Sequence, residues 1–376
     1  MRLPGRTFAV AGVAFRGALA LATMRALRKT RPGPGLEMLD APVPPVGRDE
    51  VLIEVRAASI CGTDLHISRW DPWAEDHMVV PATIGHELCG VVAETGAEVH
   101  DGPAVGQLVS VESHVICNVC SWCKTGQGHL CPNTQILGVH RDGAFAEYVV
   151  VPSQNAWADP PDMPYSIASL QENFGNAVHT ATVPRVAGRK VLVTGSGPVG
   201  VMAMATAKAL GARSVYATDV SDYRLEMALK MGADLAFNAT REDVEVAVRD
   251  ATGGEGVDVL LEMSGAPSAL DSGFRLLKPG GEAALLGLTS QRVEFDLDDN
   301  IIFKGATVHG IVGRRLWQTW LEMRGLIRSG ALDLAPVVTH RFALDDYEKA
   351  FALMESGECG KVVMFPDPAQ ADGPLG

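Results

Sequence analysis

Apolar positions change their pattern along the chain near residue 188. Before it, short apolar runs such as Val51–Ile60 and Gln107–Val111 alternate with turns rich in Pro and Gly. Runs of this length, bounded by turn residues, predict a β-rich domain of short strands. After it, the apolar strand Lys190–Thr194 precedes the helical run Val201–Leu210, and further units of the same kind follow. Strands that alternate with helices predict βαβ units and a parallel sheet.

The last part of the chain predicts a return to the first domain. After about residue 312, two amphipathic helices, Leu316–Ser329 and Leu344–Gly357, precede a last strand, Lys361–Phe365. We therefore predict a β-rich domain formed by residues 24–178 and 312–366, and a βαβ domain formed by residues 179–311. Residues 367–376 are then a tail, and the helical segment that opens at Gln171 marks the hinge between the domains.

An N-terminal segment of 23 residues precedes these elements. It carries Arg2, Arg6 and Arg16, no acidic residue and many alanines. Arg16 interrupts the apolar run, which argues against a secretory signal peptide. We favour an upstream start or a disordered extension, with the folded chain beginning at Met24.

Composition narrows the class of protein. The 376 residues are enough for two or three domains with a large core. A formal net charge of −13 argues against an extended nucleic-acid surface, and no apolar run reaches the ~18–20 residues that span a bilayer. Four of the seven cysteines fall within fifteen positions, which indicates metal binding rather than disulfides. Because such thiols must stay reduced, we expect a cytoplasmic protein. From the net charge and the lengths of the apolar runs, we expect no nucleic-acid or membrane partner.

A thiol, a hydroxyl and an imidazole follow the run Val51–Ile60, as Cys61, Thr63 and His66. About twenty residues later the chain reads Gly-His86-Glu87. Cysteine, histidine and carboxylate ligands suit zinc, and three protein ligands leave a fourth position for substrate, which is typical of a catalytic zinc. Thr63 and His66 are then placed to carry a proton away from an oxygen at the metal. Taken alone, the stretch is better explained by a buried cysteine beside a solvated Asp64 and His66, but the other motifs favour the metal.

The clustered cysteines form a second, tighter pattern. Cys117, Cys120, Cys123 and Cys131 offer four thiolates, which close a tetrahedral shell around a structural zinc. An iron–sulfur cluster also uses four cysteines, but the spacing differs from ferredoxin patterns.

A glycine-rich turn between the strand Lys190–Thr194 and the following helix predicts a dinucleotide site. The turn has the G-x-G-x-x-G spacing, and Asp219 ends the next strand nineteen residues after its last glycine. Glycines let the backbone approach a pyrophosphate at a helix N-terminus, and Asp219 can accept both ribose hydroxyls of NAD while repelling the 2′-phosphate of NADP. Arg224 is nearby, where a solvated face or an adenosine contact is the expected role. The residues predicted to bind the cofactor are Gly195, Gly197, Pro198, Val199, Gly200, Asp219, Arg224 and, in the predicted strand Glu282–Leu288, Leu286.

An open zinc site and a nicotinamide site on two domains indicate hydride transfer from an alcohol carbon. Zinc stabilises the developing alkoxide, and the nucleotide-binding domain fixes the position of the nicotinamide.

A family resemblance strengthens this interpretation, and it covers about residues 24–366. The stretches that carry it are Ser59–His66, Trp70–Trp73, Gly85–Glu87, Val111–His114, His129–Thr134, Phe145–Tyr148, Phe174–Ala181, Leu261–Ala266 and Phe303–Gly305. Together they resemble the zinc-containing medium-chain alcohol dehydrogenases, and within that family the L-threonine 3-dehydrogenases of bacteria and archaea.

The resemblance implies a GroES-like catalytic domain, a Rossmann NAD-binding domain and two zinc ions per subunit, one catalytic and one structural. It also implies that Glu172 takes or leaves the fourth zinc position and that His114 is a pocket histidine tied to substrate preference. The implied reaction is oxidation of L-threonine at its secondary hydroxyl to 2-amino-3-oxobutanoate, with NAD, in a homotetramer. Asn173 stands where the family often has proline, so the backbone beside Glu172 departs from the pattern.

Two other functions stay open. One is a polyol, sorbitol or 2,3-butanediol dehydrogenase of the same architecture. The other is a zinc-dependent binding or regulatory protein with a vestigial nucleotide fold, against which the acidic composition and the intact Thr63 and His66 pair argue.

Overall fold

The structure is a computed structural model that describes residues 22–289 and 291–376. The expectation for the N-terminal extension falls on residues that lie, up to residue 21, outside the described part. The strands β1 to β18 are Thr23–Lys29, Glu37–Pro42, Glu50–Ser59, Ala82–Thr83, Glu87–Thr95, Leu108–Val111, His114–Val115, Gln135–Ile136, Tyr148–Pro152, Ala156–Ala158, Lys190–Thr194, Ser214–Asp219, Leu235–Asn238, Val257–Glu262, Leu277–Leu285, Thr307–Gly310, Val338–Ala343 and Lys361–Phe365.

Helices connect and cover these strands. The α-helices α1 to α11 are Gly62–Arg69, Pro72–His77, Ser121–Lys124, Tyr165–Ala168, Gln171–Thr182, Pro198–Ala209, Asp222–Lys230, Val244–Ala251, Pro267–Leu276, Gln318–Ser329 and Tyr347–Ser356. Short 3₁₀ turns lie at Gly128–Leu130, Ser153–Asn155, Ala335–Val337, Leu344–Asp346 and Pro368–Gln370, and a π turn lies at Asp298–Ile302. Within the described ranges, no helix has the length and apolarity required to cross a membrane.

The predicted βαβ region forms one parallel sheet in the order β13-β12-β11-β14-β15-β16. Strand β11 is apolar at Val191, Leu192 and Val193, all fully buried, because helices cover both faces of a doubly wound sheet. The strand order reverses between β11 and β14, and ligands of such sheets bind at the carboxyl ends of the strands beside that reversal. This is the Rossmann architecture expected from the alternating pattern.

The β-rich region forms a second, seven-stranded sheet in the order β10-β6-β5-β3-β18-β17, with β9 also paired to β3. The last predicted strand, β18, pairs antiparallel with β3, so that Val363 lies opposite Ser59. The end of the chain therefore returns to the first sheet, as the sequence predicts. A smaller sheet, β2-β1-β4, packs its apolar residues Met24 and Ala26 in a separate cluster.

Several element boundaries differ from the sequence prediction, and two of them lie beside the predicted cofactor residues. Helix α6 begins at Pro198 rather than at Val201, because Gly197 is an extended N-cap and proline suits the first helical turn. Strand β15 runs from Leu277 to Leu285 instead of Glu282 to Leu288, and Gly280 within it has a φ of 72°. Leu286 therefore follows the strand rather than lying inside it.

Helix α5, predicted from the segment that opens at Gln171, lies almost wholly buried between the two sheets. Its residues Phe174 and Val178 share one apolar cluster with Met202 of the nucleotide-binding domain and Trp320 of α10. A buried helix at this position fixes the carboxylate near its start, Glu172, against both domains.

Candidate active site

The predicted ligands Cys61, His86 and Glu87 meet where two antiparallel strands end and begin. Cys61 is the N-cap of α1, just after β3, and Glu87 is the first residue of β5, directly opposite Ser59. One ligand atom from each of the three residues lies within 4.8 Å of those of the other two. Bonds of about 2.0–2.3 Å to a tetrahedral zinc place ligand atoms about 3.3–3.8 Å apart, which is within this bound.

An unpaired polar atom of this trio fits a cation. Among the described residues, Oε1 of Glu87 is buried without a hydrogen-bond partner. The other oxygen of Glu87 lies 2.5 Å from Nζ of Lys361 and accepts from the Ser59 hydroxyl. A buried carboxylate oxygen left alone is costly, and a metal ion at the thiol and imidazole would complete it. The donor set therefore fits zinc.

Two further residues orient the trio. Oδ2 of Asp64 accepts from the backbone N–H of Cys61 at 2.8 Å, and its Oδ1 lies 3.7 Å from Nδ1 of His86. Carboxylates behind a metal-binding histidine commonly hold the ring in place. Burial lowers the pKa of Lys361, but the Glu87 carboxylate outweighs this effect and raises the pKa above its ordinary value. Lys361 is therefore a buried cation that balances Glu87.

Glu172 does not join the trio in this structure. Its Oε1 accepts from the Ser113 hydroxyl at 2.6 Å and pairs with Nη2 of Arg314 at 2.8 Å. Burial raises the pKa of Glu172, but Arg314 outweighs burial and holds the net pKa below its ordinary value. The carboxylate still lines the same cavity as Cys61 and His86. Its role as an exchangeable fourth ligand stays a prediction.

Glu112 is the centre of a buried network beside His114. Its carboxylate accepts from Nε of Arg314 at 2.6 Å, from the indole of Trp320 at 2.7 Å and from the backbone N–H of His114 at 2.8 Å. Nδ1 of His114 lies 3.0 Å from the same carboxylate. Burial raises the pKa of Glu112, but Arg314 outweighs it and the net pKa lies far below the ordinary value. The network fixes the ring of His114 at the edge of the cavity.

The metal trio opens into a cavity of about 200 Å³ between the two sheets. Its walls combine polar and apolar groups from both domains. The lining includes Thr63, Trp73, His114, Ile136, Asn176 and Leu286. Leu286 was predicted to bind the cofactor from the sequence; it lines this inner cavity rather than the glycine-rich groove.

The predicted relay residues have different environments. The hydroxyl of Thr63 lies 3.9 Å from Sγ of Cys61 and lines the cavity. The side chain of His66 is 54% exposed, lies outside that lining, and is hydrogen-bonded through Nδ1 to Asp71. A proton leaving through these two side chains would therefore move from the cavity to the surface.

The four clustered cysteines are arranged as a closed metal shell. The measured Sγ–Sγ separations are 3.5 Å for Cys120–Cys123, 3.5 Å for Cys131–Cys117 and 4.0 Å for Cys117–Cys123. A Zn–S bond of about 2.3 Å in a tetrahedron gives sulfur separations of about 3.8 Å. Backbone N–H groups of Val119 and Cys120 lower the pKa of Cys117 to about 6, which favours the thiolate that a metal needs.

The glycine-rich turn lines a groove of about 500 Å³ at the carboxyl ends of the parallel strands. Gly195 and Gly197 lie in its wall with Asp219 and Arg224, whereas Pro198 and Val199 open α6 behind it. A Cβ on Gly200 would lie 2.0 Å from the carbonyl oxygen of Gly195, so only glycine fits there. The Asp219 carboxylate accepts from the backbone N–H groups of Ser196 and Val220, at 2.7 and 2.8 Å. These contacts hold it at the groove.

Sequence reasoning assigned no role to three charged residues of the site: Glu112, Arg314 and Lys361. Glu112 was part of the quoted stretch Val111–His114, but nothing distinguished it from a solvated acid. Lys361 could have been found from the sequence, because it is a charged residue at the start of the otherwise apolar strand β18.

Three comparisons with known proteins bear on these features. Residues 47–161 match the family described as alcohol dehydrogenase GroES-like domain, and residues 198–329 match zinc-binding dehydrogenase. L-threonine 3-dehydrogenase of Symbiobacterium thermophilum is 49% identical over 346 residues, covering 92% of this chain and 98% of that protein. The structure of a zinc-binding dehydrogenase from Sinorhizobium meliloti bound to NADP superposes with a TM-score of 0.85 at 28% identity, covering 92% of this chain and all of that one. For 2R,3R-butanediol dehydrogenase from Bacillus subtilis the TM-score is 0.83 at 28% identity, with 92% and 100% covered.

Proposed function

The chain belongs to the zinc-binding alcohol dehydrogenase family, and from this we propose that it is an NAD-dependent L-threonine 3-dehydrogenase. It would oxidise the secondary hydroxyl of L-threonine to L-2-amino-3-oxobutanoate. The observation that carries the proposal is the trio of Cys61, His86 and Glu87. Cys61 and His86 line one cavity with Leu286, the residue that follows strand β15 of the Rossmann sheet. The 49% identity over 346 residues to an L-threonine 3-dehydrogenase supports L-threonine as the substrate.

Cys61, His86 and Glu87 would hold zinc, which would supply a Lewis acid at the substrate oxygen, and the glycine-rich groove would hold NAD, which would supply the hydride acceptor. The protein's own task is to remove the hydroxyl proton. Thr63 lines the cavity and donates its own proton outward as it accepts that of the substrate, and His66 receives it at the surface. The net change is loss of a hydride and a proton from the substrate, which leaves a carbonyl group.

Apolar side chains exclude water from the hydride path. Trp73, Ile136 and Leu286 line the cavity, and a dry site strengthens every electrostatic interaction inside it. His114, held by Glu112, is the proposed determinant of substrate preference.

A substrate panel tests the proposal. The zinc-loaded protein is assayed for NADH formation with L-threonine, sorbitol and 2,3-butanediol, and for NADPH formation with NADP. We expect L-threonine with NAD to be the best pair; a clear preference for a polyol or butanediol would replace the proposed substrate. Absence of turnover with every alcohol, together with no NAD binding, would favour the regulatory alternative.

A pair of cysteine variants ties the activity to the metal. Cys61→Ser should abolish turnover and lower the zinc content from two ions per chain to one, with the circular dichroism spectrum unchanged. Cys359→Ser is the matched control, because Cys359 is a buried cysteine that contacts Leu353 and Met354 and belongs to neither predicted zinc site. Loss of activity in both variants would show that the effect is not specific to the metal.

We also propose the organisation expected from the sequence: domains at residues 24–178 with 312–366 and at 179–311, a homotetramer, and a cytoplasmic location. Support for self-association comes from β16, the edge strand of the parallel sheet, beside which Phe303 is 78% exposed and Leu288 is 88% exposed. Native mass spectrometry measures the subunit number, and cell fractionation measures the location that reduced zinc-binding thiols favour.

A further inference from the structure

The stretch Trp70-Asp71-Pro72-Trp73 lies directly against His66. Asp71 is the N-cap of α2, where its Oδ1 accepts from the backbone N–H of Ala74 at 3.1 Å. Its Oδ2 is hydrogen-bonded to Nδ1 of His66. One carboxylate thus anchors a helix with one oxygen and a histidine ring with the other.

The backbone before Asp71 adopts an uncommon conformation that produces this contact. Trp70 has a φ of 56° and a ψ of 50°, in the left-handed region, where a bulky side chain is rare. Its N–H donates back to the last turn of α1, and the N–H of Asp71 donates to the carbonyl oxygen of His66 at 3.3 Å. The Trp70 ring lies 5.0 Å from Nζ of the buried Lys29, which helps to hold the residue there. Strained backbone that persists is a reason to look for function.

The contact determines which nitrogen of His66 carries the proton. A carboxylate only accepts hydrogen bonds, so Nδ1 of His66 must be the protonated nitrogen in this pair. Nε2 is then left with its lone pair, as a base requires. The negative charge of Asp71 also favours the imidazolium that forms once Nε2 has accepted a proton.

We infer that Asp71 is a positioning residue of the proton relay, which holds His66 as the Nδ1–H tautomer so that Nε2 accepts the proton that Thr63 gives up. The inference rests on the proposed function, because it assigns a role within that reaction. Pro72 and Trp73 complete the arrangement: proline opens α2, and Trp73 connects the relay to the cavity, with its ring 6.0 Å from that of His66.

Other charged groups lie on the elements packed against α1. Helix α2 carries Glu75, Asp76 and His77, and the ring of His77 stacks on Trp73 at 4.9 Å. Helix α11 carries Glu348, Lys349 and Glu355, and Glu355 pairs with Arg69. Lys29 lies at the end of β1. None of these side chains is recorded in hydrogen-bond contact with the His66 ring in the described structure, in which Asp71 makes that contact. The tautomer of His66 is therefore set by its bond to Asp71.

The first test compares pH profiles of kcat for L-threonine oxidation. Asp71→Asn keeps the size and the helix cap, since asparagine is as good an N-cap as aspartate. We expect kcat at the plateau to fall about tenfold, because His66 becomes a weaker and less oriented base. Asp76→Asn removes one charge from the exposed face of the same helix and should leave the profile unchanged.

A double-mutant cycle separates this role from a structural one. In a His66→Gln background, Asp71→Asn should have no further effect on kcat, because Asp71 acts through His66. An equal loss in both backgrounds would overturn the inference. If the wild-type protein does not oxidise L-threonine at all, the proposed function fails first, and the cycle is repeated with the best substrate of the panel.

A readout without turnover completes the test. In protein labelled with ¹⁵N in the histidine rings, the His66 signals are identified by their loss in His66→Gln. The ¹⁵N shifts should show Nδ1 protonated in the wild-type protein and a mixture of tautomers in Asp71→Asn. An unchanged tautomer would refute the inference.

Discussion

Glu112→Gln tests whether the buried network behind His114 stabilises the fold. The substitution keeps the shape of the side chain but removes the charge that faces Arg314, and it places an amide nitrogen opposite one of the donors Arg314, Trp320 and His114. Removal of one partner from a buried ion pair costs about 3–5 kcal/mol. The lower end, about 3 kcal/mol, applies here because Glu172 remains 2.8 Å from Arg314 as a second anion.

The expected change in melting temperature follows from chain length. Unfolding entropy of about 2.1 cal/mol/K per residue gives about 0.8 kcal/mol/K for this chain. A loss of about 3 kcal/mol therefore lowers Tm by about 4 °C, measured by differential scanning calorimetry of the zinc-loaded protein. The control is Glu98→Gln, because Glu98 forms an ion pair with Arg48 at the surface, and breaking such a pair should change Tm by about 1 °C or less.

The pH dependence of this effect has a defined sign. The pKa of Glu112 is lower in the folded protein than its ordinary value of 4.5, so its stabilisation is complete above pH 4.5 and is lost as the pH falls below that. The Tm difference should be equal at pH 7 and pH 5.5. A Tm for Glu112→Gln within 1 °C of the Glu98→Gln control would refute the claim that the network is a major stabilising contact.

Three other predictions concern separate parts of the molecule. Cys120→Ser should lower the zinc content by one ion per chain and lower Tm by more than Cys359→Ser does, because four thiolates close the structural shell; two retained zinc ions would contradict this. Burial lowers the pKa of His179 to about 4, so the folded state resists its protonation and stability falls as the pH drops from about 6.5. His179→Asn can keep the bond to the carbonyl oxygen of Gly313 and should remove about 2 kcal/mol of the acid-induced loss between pH 7 and pH 5, seen as a smaller shift in Tm. Asp219→Asn should raise KM for NAD at least about tenfold, since a charge-assisted bond to the ribose is lost, and should improve the use of NADP; an unchanged KM would exclude Asp219 from the ribose site.

Local motifs could be predicted from the sequence because their chemistry depends on short spacing. The four cysteines, the glycine-rich turn and the acid at the end of β12 each lie within a few residues of the element that positions them. Antiparallel pairing of β3 with β5 then brings Cys61 near Glu87. The apolar pattern predicts that these strands exist, but it does not predict which residues pair. Boundaries were less certain, as β15 shows, because glycine inside a strand resembles a turn.

The partners of the buried charges could not be predicted in the same way. Arg314 lies 142 positions after Glu172 and 202 after Glu112, and no periodic pattern relates residues so far apart. An arginine beside a second arginine reads as an exposed pair, yet Arg314 is 1% exposed. Only the packing of α5 against both sheets shows which acids it faces.

Two buried cations, Arg314 and Lys361, explain how five acidic groups are tolerated around one cavity. The acidic groups are the Cys61 thiol, Asp64, Glu87, Glu112 and Glu172, of which the four carboxyl groups are almost fully buried. Buried anions must be paired, so a site that lacked cations of its own would hold its carboxyl groups protonated. Arg314 holds Glu112 and Glu172, and Lys361 holds Glu87, each at 2.8 Å or less. With these pairs formed, a divalent metal would bring the charges of the site to within one unit of balance. It would do so where Oε1 of Glu87 has no hydrogen-bond partner in the described structure.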